Sequence, residues 1–302
     1  MLKSAGTHIT VWPGHWLGWI AFFVLFVIAA PDRAETKLSY PIPVFVSILP
    51  EQYFVKRVGG EFVKVTVMVG PGQSPATYDP KPKQIAELER AIMYFRIGVP
   101  FENMWMNRIR SINSTMRIVD LRDGITLRAF STTDQHEHGG NKDPHVWTSP
   151  PLVKHMAGHI RAALIQLDPA HRVQYESNYN AFARDLDELN DYIKNIMARL
   201  KTKNFMVFHP SWGYFADTYG LHQISIESEG KEPGAKALTK LIEFGKSEGV
   251  KVIFVQTQFS MKTAQTIAHT IGAQVVTVDP LAENYLTNMR MVAEAFAKSL
   301  SR

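Results

Sequence analysis

Short runs of apolar, β-branched and aromatic residues alternate along this chain with segments whose apolar positions recur every three or four residues. Pro43–Leu49, Val63–Val69, Ile92–Gly98 and Met116–Leu121 read as strands, with helices at Glu51–Gly59 and Lys83–Arg90 between them. Pro151–Asp168 reads as a helix: Leu152, Met156, Ile160, Ala163 and Leu167 share one face, Pro151 sits in the first turn and Pro169 just past the end. From Ala170 to Leu200 the helical spacing continues through Val173, Tyr179, Phe182, Leu186, Leu189, Ile193, Ile196 and Leu200, with Arg184, Asp185, Asp187, Glu188 and Asp191 on the other side. As a single helix this stretch would extend roughly 45 Å, longer than a small domain is wide.

Beyond it the alternation resumes, with strands at Phe205–Phe208, Gln223–Glu227, Val250–Gln256 and Gln274–Val278. Helices at Trp212–Tyr219, Ala235–Glu248, Lys262–Ile271 and Leu286–Leu300 separate and follow them. Val252-Ile253-Phe254-Val255 is apolar on both faces, the mark of a parallel strand covered by helices on both sides. The expected fold is α/β: two lobes with parallel sheets flanked by helices, joined by one long connecting helix. The expected division is an N-terminal segment at 1–34, a lobe at 35–168, the connector at 169–200 and a second lobe at 201–302.

Composition narrows the class. The chain has 302 residues, 33 Lys+Arg against 28 Asp+Glu, and no cysteine. Its positive charges are scattered rather than gathered into a run that tracks a phosphate backbone, so nucleic acid is not an expected partner. The absence of cysteine removes disulfides, Cys-based zinc sites and lipid attachment at cysteine together. Leu17–Ala30 is uncharged and apolar, preceded by Lys3 and followed by Pro31-Asp32-Arg33-Ala34. A bilayer span needs about 20 such residues, so this shorter stretch reads as a signal-peptide core, with an uncleaved anchor as the alternative. The expected outcome is export.

Three segments carry the chemistry: Asp143-Pro144-His145-Val146-Trp147, Phe208-His209-Pro210-Ser211-Trp212 and Val278-Asp279-Pro280-Leu281. Each sets a metal-ligating side chain beside a proline at the end of an element, and imidazole with carboxylate suits zinc. His209 and Asp279 directly follow strands, where open α/β sheets bind their ligands. A Pro-adjacent Asp is otherwise a turn residue, and each His otherwise a packed or capping side chain. Asp134-Gln135-His136-Glu137-His138 is a polar stretch suited to weak capture of a cation. His155 and His159 are spaced i, i+4 on a predicted helix, but no Glu follows the first, so a zinc-protease reading fails and they read as ordinary helix-face residues. Glu227, Glu229 and Glu232 read as a solvated acidic loop, with a carboxylate that orients a ligating imidazole as the sharper alternative.

At these residues the chain resembles the periplasmic substrate-binding proteins of zinc and manganese ABC transporters. The resemblance runs from about Val44 to Ala297. It rests on five motifs in order: Gly70-Pro71-Gly72-Gln73-Ser74-Pro75-Ala76-Thr77-Tyr78-Asp79-Pro80, the Asp143–Trp147 and Phe208–Phe215 segments, Gln256-Thr257-Gln258-Phe259-Ser260, and Val278–Leu281. It implies two α/β lobes joined by a long helix, with the metal between them. It implies ligand roles for His145, His209 and Asp279, and His at the 209 position points to zinc rather than manganese. It also implies a His-bearing loop ahead of Asp143, matched by His136 and His138. The family's first ligand is a His where this chain has Ala76, which leaves Gln73, Tyr78, Asp79, a loop histidine or water as candidates for that place. The implied function is a monomeric, non-enzymatic receptor that delivers a divalent metal to the membrane permease of an ABC importer. The alternatives are a zinc hydrolase with an open coordination position, or a degenerate member acting as metal chaperone or adhesin.

Overall fold

The computed structural model describes residues 6–11, 38–130, 142–227 and 232–301. The apolar N-terminal stretch read as a signal peptide and the segment with His136 and His138 lie outside the described residues. Among those described, no helix is long and apolar enough to cross a membrane.

Two four-stranded, all-parallel sheets organise residues 38–301. In the first, β1 (Ile42–Ile48), β2 (Val63–Val69), β3 (Met93–Arg96) and β4 (Arg117–Asp120) lie in the order β2-β1-β3-β4. In the second, β5 (Asn204–Val207), β6 (His222–Ser225), β7 (Val252–Val255) and β8 (Gln274–Thr277) lie in the order β6-β5-β7-β8. The two halves therefore share one topology despite showing no evident sequence repeat. Burial follows position: β7 is buried at every residue, while the edge strand β8 is half-buried to exposed throughout. A central strand covered on both faces must be apolar throughout, which is why Val252–Val255 was legible as a parallel strand.

The helices are α1 (Leu49–Gly59), α2 (Pro82–Leu88), α3 (Pro100–Ile112), α4 (Pro150–Leu167), α5 (Arg172–Met197), α6 (Gly213–Tyr219), α7 (Ala235–Ser247), α8 (Lys262–Ile271) and α9 (Tyr285–Leu300). The long connector exists, at 26 residues rather than the whole of Ala170–Leu200. Its start is set by Asp168, whose carboxylate accepts hydrogen bonds from Tyr175 Oη and His171 Nδ1 across a short 3₁₀ turn at Pro169–His171. The sequence reading had no helix at α3. There Pro at the first position starts the helix, but only Phe101, Glu102, Met106 and Ile109 are buried, and a buried Glu breaks the apolar stripe that periodicity looks for.

One continuous apolar core joins both halves. It contains Val44, Val46 and Phe95 of the first sheet together with Phe205, Val207, Val252 and Phe254 of the second. Side chains alternate across a strand, so Met206, Ile253 and Val255 point the other way and form a separate core with α7 and α8 residues such as Leu241 and Ile267. Phe296 of α9 stacks on Phe254 at 4.1 Å and meets Phe205, Trp212 and Phe215 edge-on or tilted. This cluster anchors the segment just after β5, where His209 lies.

Candidate metal centre

Both sheets direct the carboxyl ends of their inner strands at a cavity of about 190 Å³. The residues following β3 (Gly98 and Val99), β5 (His209) and β7 (Gln256 and Gln258) line it, as do His145 and Ala76. In a parallel sheet of this order, the gap between the first and third strands is where the connections diverge to opposite faces and leave a crevice. His209 and Gln256 emerge at that point of the second sheet.

His145 is positioned by its own motif. Asp143 is fully buried, and its Oδ1 accepts both the backbone N–H of His145 at 3.0 Å and Nδ1 of its ring at 2.7 Å. Pro144 between them restricts the backbone so that the carboxylate can reach both. Arg128 approaches the other oxygen of Asp143 at 3.4 Å, and Tyr214 Oη donates to the Asp143 carbonyl at 2.8 Å. Trp147 Nε1 donates to the carbonyl of Pro280 at 2.8 Å, which ties this motif to the Val278–Leu281 segment.

His209 has a matching arrangement. Its Nδ1 is hydrogen-bonded to Oε1 of Glu227, and its ring stacks on Phe259 at 5.2 Å and 20°. The backbone of His209 is clamped by Gln256, whose Nε2 donates to the His209 carbonyl at 2.6 Å and whose Oε1 accepts its N–H at 3.2 Å. Glu227 is 2% exposed, so it is not part of a solvated acidic loop. Its carboxylate instead orients the imidazole of His209. The signal was its place at the end of the strand run Gln223–Glu227, directly after the core residue Ile226.

An ionised carboxylate can only accept, so each Nδ1 carries the proton and each Nε2 presents a lone pair. The two Nε2 atoms face each other at 3.2 Å. Two nitrogens bound to one tetrahedral zinc at ~2.05 Å stand about 3.3 Å apart, so the pair is spaced as two ligands of one ion. Burial holds the pKa of His145 below the ordinary histidine value, with Asp143 working in the opposite direction. The imidazole is therefore neutral near neutrality, as coordination requires.

Asp279 is placed differently. It lines an adjoining cavity of about 200 Å³ with Gln73 and Gly72, and its Oδ1 accepts from Gln258 Nε2 at 3.2 Å and from the N–H of Leu281 at 2.9 Å. Gln258 and Leu281 line both cavities. Among the described residues no three His, Asp or Glu side chains are gathered around one point. Of the auxiliary candidates, Gln73 caps its own turn by accepting from the N–H of Gly70. Tyr78 is 4% exposed with its hydroxyl engaged by Gln84, which removes it from the histidine pair because burying that ring in the core takes the phenol with it. Asp79 accepts from Trp105 Nε1 at 2.9 Å. Ala76 lies exposed on the wall of the histidine cavity, which exposed Lys142 and half-buried Phe130, the residues flanking the segment with His136 and His138, also line.

The chain is 28% identical, over 87% of its length and 88% of the relative's, to the high-affinity zinc uptake system protein ZnuA of Bacillus subtilis (strain 168). It is 25% identical over 91% of its length to the zinc-binding lipoprotein AdcA of Streptococcus pneumoniae (strain R6), a longer protein of which it spans 58%. The crystal structure of a ZnuA deletion mutant with zinc bound is 41% identical, with a TM-score of 0.81 over 86% of this chain and 98% of that one. The family model described as "Zinc-uptake complex component A periplasmic" matches residues 44–299, and the chain belongs to that family.

Proposed function

We propose that this protein captures zinc through the facing Nε2 atoms of His145 and His209 and hands it to the permease of an ABC importer. The observation that carries this reading is the 3.2 Å separation of two imidazole nitrogens, each oriented by a buried carboxylate. Asp279 is the proposed third ligand, reached when its bond to Gln258 is given up. Water, or a histidine from the segment between Phe130 and Lys142, takes the place that Ala76 leaves. The lobes at 35–168 and 201–302 would then each contribute one imidazole. Delivery outside the cytoplasm, after removal of the Leu17–Ala30 segment, fits the same reading. Isothermal titration of zinc into the wild type and Asp279→Ala tests the third ligand: affinity is expected to fall at least tenfold, and equal affinities would remove Asp279 from the set.

The hydrolase alternative gains no support from the site. The two carboxylates next to the imidazoles, Asp143 and Glu227, are both used to hold Nδ1 protons rather than to activate a water.

Two further expectations follow from the hydrogen bonds. Glu227→Ala should weaken zinc binding by about 10- to 100-fold, the usual cost of losing the group that orients a ligating histidine. Glu227→Gln should recover part of this, because an amide oxygen can still accept from Nδ1. Competition titration against a chelator would measure both, and an unchanged affinity in Glu227→Ala would show that the buried pair is structural only. Zinc affinity should also depend on pH in a defined direction. The depressed pKa of His145 keeps its ring neutral as pH falls to the ordinary histidine value near 6.5 and protonates it only below that. The part of the affinity that rests on His145 should therefore hold down to that region and fall at lower pH as protons compete for its imidazole. Loss of affinity already between pH 8 and 7 would contradict this.

A further inference from the structure

A second pair of histidines converges outside the cleft. His155 and His159 lie four residues apart on α4, a spacing that puts both on one face of the helix. Their Nε2 atoms are 3.1 Å apart. Both also point at one backbone carbonyl oxygen, that of Asp123, at 2.8 Å and 2.9 Å. Asp123 belongs to the turn that follows β4. That turn is held by Asp120, whose Oδ1 accepts from the N–H and Nε of Arg122, and by the Ile125 N–H donating to the Arg122 carbonyl at 2.8 Å.

The turn leaves space for the rings at one position. Gly124 has φ +79°, which side-chain-bearing residues rarely adopt. A Cβ there would stand 3.3 Å from Nε2 of His155. Glycine is what allows the Asp123 carbonyl and the two imidazoles to share one point.

We propose that Nε2 of His155, Nε2 of His159 and the carbonyl oxygen of Asp123 form a second site for a divalent transition metal. The circle through these three atoms has a radius of about 1.7 Å, shorter than a zinc–nitrogen bond of ~2.05 Å. A point above their plane therefore lies within bonding distance of all three atoms. The nitrogen separation nearly equals the 3.2 Å of the cleft pair. Two imidazoles with one oxygen select zinc, copper(II) or nickel(II) over manganese, magnesium or calcium. His155 is exposed, so water completes the coordination and the site is weaker than the cleft. The competing account is a pair of N–H donors sharing one carbonyl, and the two differ in whether metal binds.

Equilibrium dialysis of the full chain against zinc chloride tests this, first in a His145→Ala/His209→Ala background where the cleft pair is gone. That protein should still bind one zinc equivalent, and adding His155→Ala and His159→Ala should lower its affinity at least tenfold. In the otherwise wild-type chain, the same two substitutions should remove the weaker equivalent and leave the tighter one. Alanine is the better helix former at exposed positions, so circular dichroism should report an intact fold. A weaker equivalent that persists unchanged without His155 and His159 would overturn the assignment. So would its absence from the chain that retains them.

Discussion

Replacing both His145 and His209 by alanine is expected to lower the affinity of the tight zinc site by about a thousandfold or more, equivalent to about 4 kcal/mol. These are the two donors whose Nε2 atoms stand at ligand spacing, and no other imidazole among the described residues lines that cavity. The single variants should differ in their effect on the fold. In His145→Ala the Asp143 carboxylate keeps the backbone N–H of residue 145 and the Arg128 guanidinium. In His209→Ala, Glu227, which is 2% exposed in the wild type, loses its imidazole partner. Leaving a buried polar group without its bond costs about 1–3 kcal/mol. His209→Ala should therefore melt earlier than His145→Ala, while both lose zinc. Calorimetric melting beside the zinc titration separates the two effects. A double variant that binds within threefold of the wild type would place the zinc elsewhere.

Ala76→His should act in the opposite direction and tighten zinc binding by about 10- to 100-fold, or about 1.4–2.8 kcal/mol. Ala76 is exposed on the wall of the cavity that holds the histidine pair, so a longer side chain there meets open space rather than core. A third neutral imidazole would replace a water as a ligand, and a fixed nitrogen donor is the stronger partner for zinc. Its backbone N–H donates to Ser74 Oγ at 3.3 Å, a bond that does not depend on the side chain. Competition against chelators of graded affinity would read the change. No gain would mean that residue 76 stands too far from the ion to reach it, and that another group already fills that place.

The shared core bears on how zinc enters. Residues of both sheets belong to one apolar cluster, and Trp147 bonds across to Pro280. A wide opening of the two halves would expose that cluster to water. Exchange is therefore expected to run through the small groups at the rim, Gln258 and Asp279 among them, rather than through a large hinge.

Several features were legible in residue order because they depend on local pattern. The eight strands among the described residues, the long helix and the positions of His145 and His209 at element ends could be read from periodicity and from prolines beside candidate ligands. Those properties are written within a few residues of one another. Helix α3 was missed because a buried, hydrogen-bonded Glu102 stands where a stripe of apolar residues was sought; its carboxylate is satisfied by Arg96, Ser47 and the N–H groups of Ile97 and Gly98, partners from separate segments. Glu227 looked like one of several acidic loop residues, and its pairing with His209 was set only by the tertiary structure.

By itself the sequence determined the alternation of strands and helices, the donor types available, and the absence of an imidazole at Ala76. Tertiary structure alone decided which donors meet. It brought His145 and His209 to 3.2 Å across 64 positions, placed Asp279 on a neighbouring wall, and turned His155 and His159 toward the Asp123 carbonyl. The reason is physical: spacing along a chain sets which face a side chain takes, whereas distances between remote segments are set by how the shared core packs.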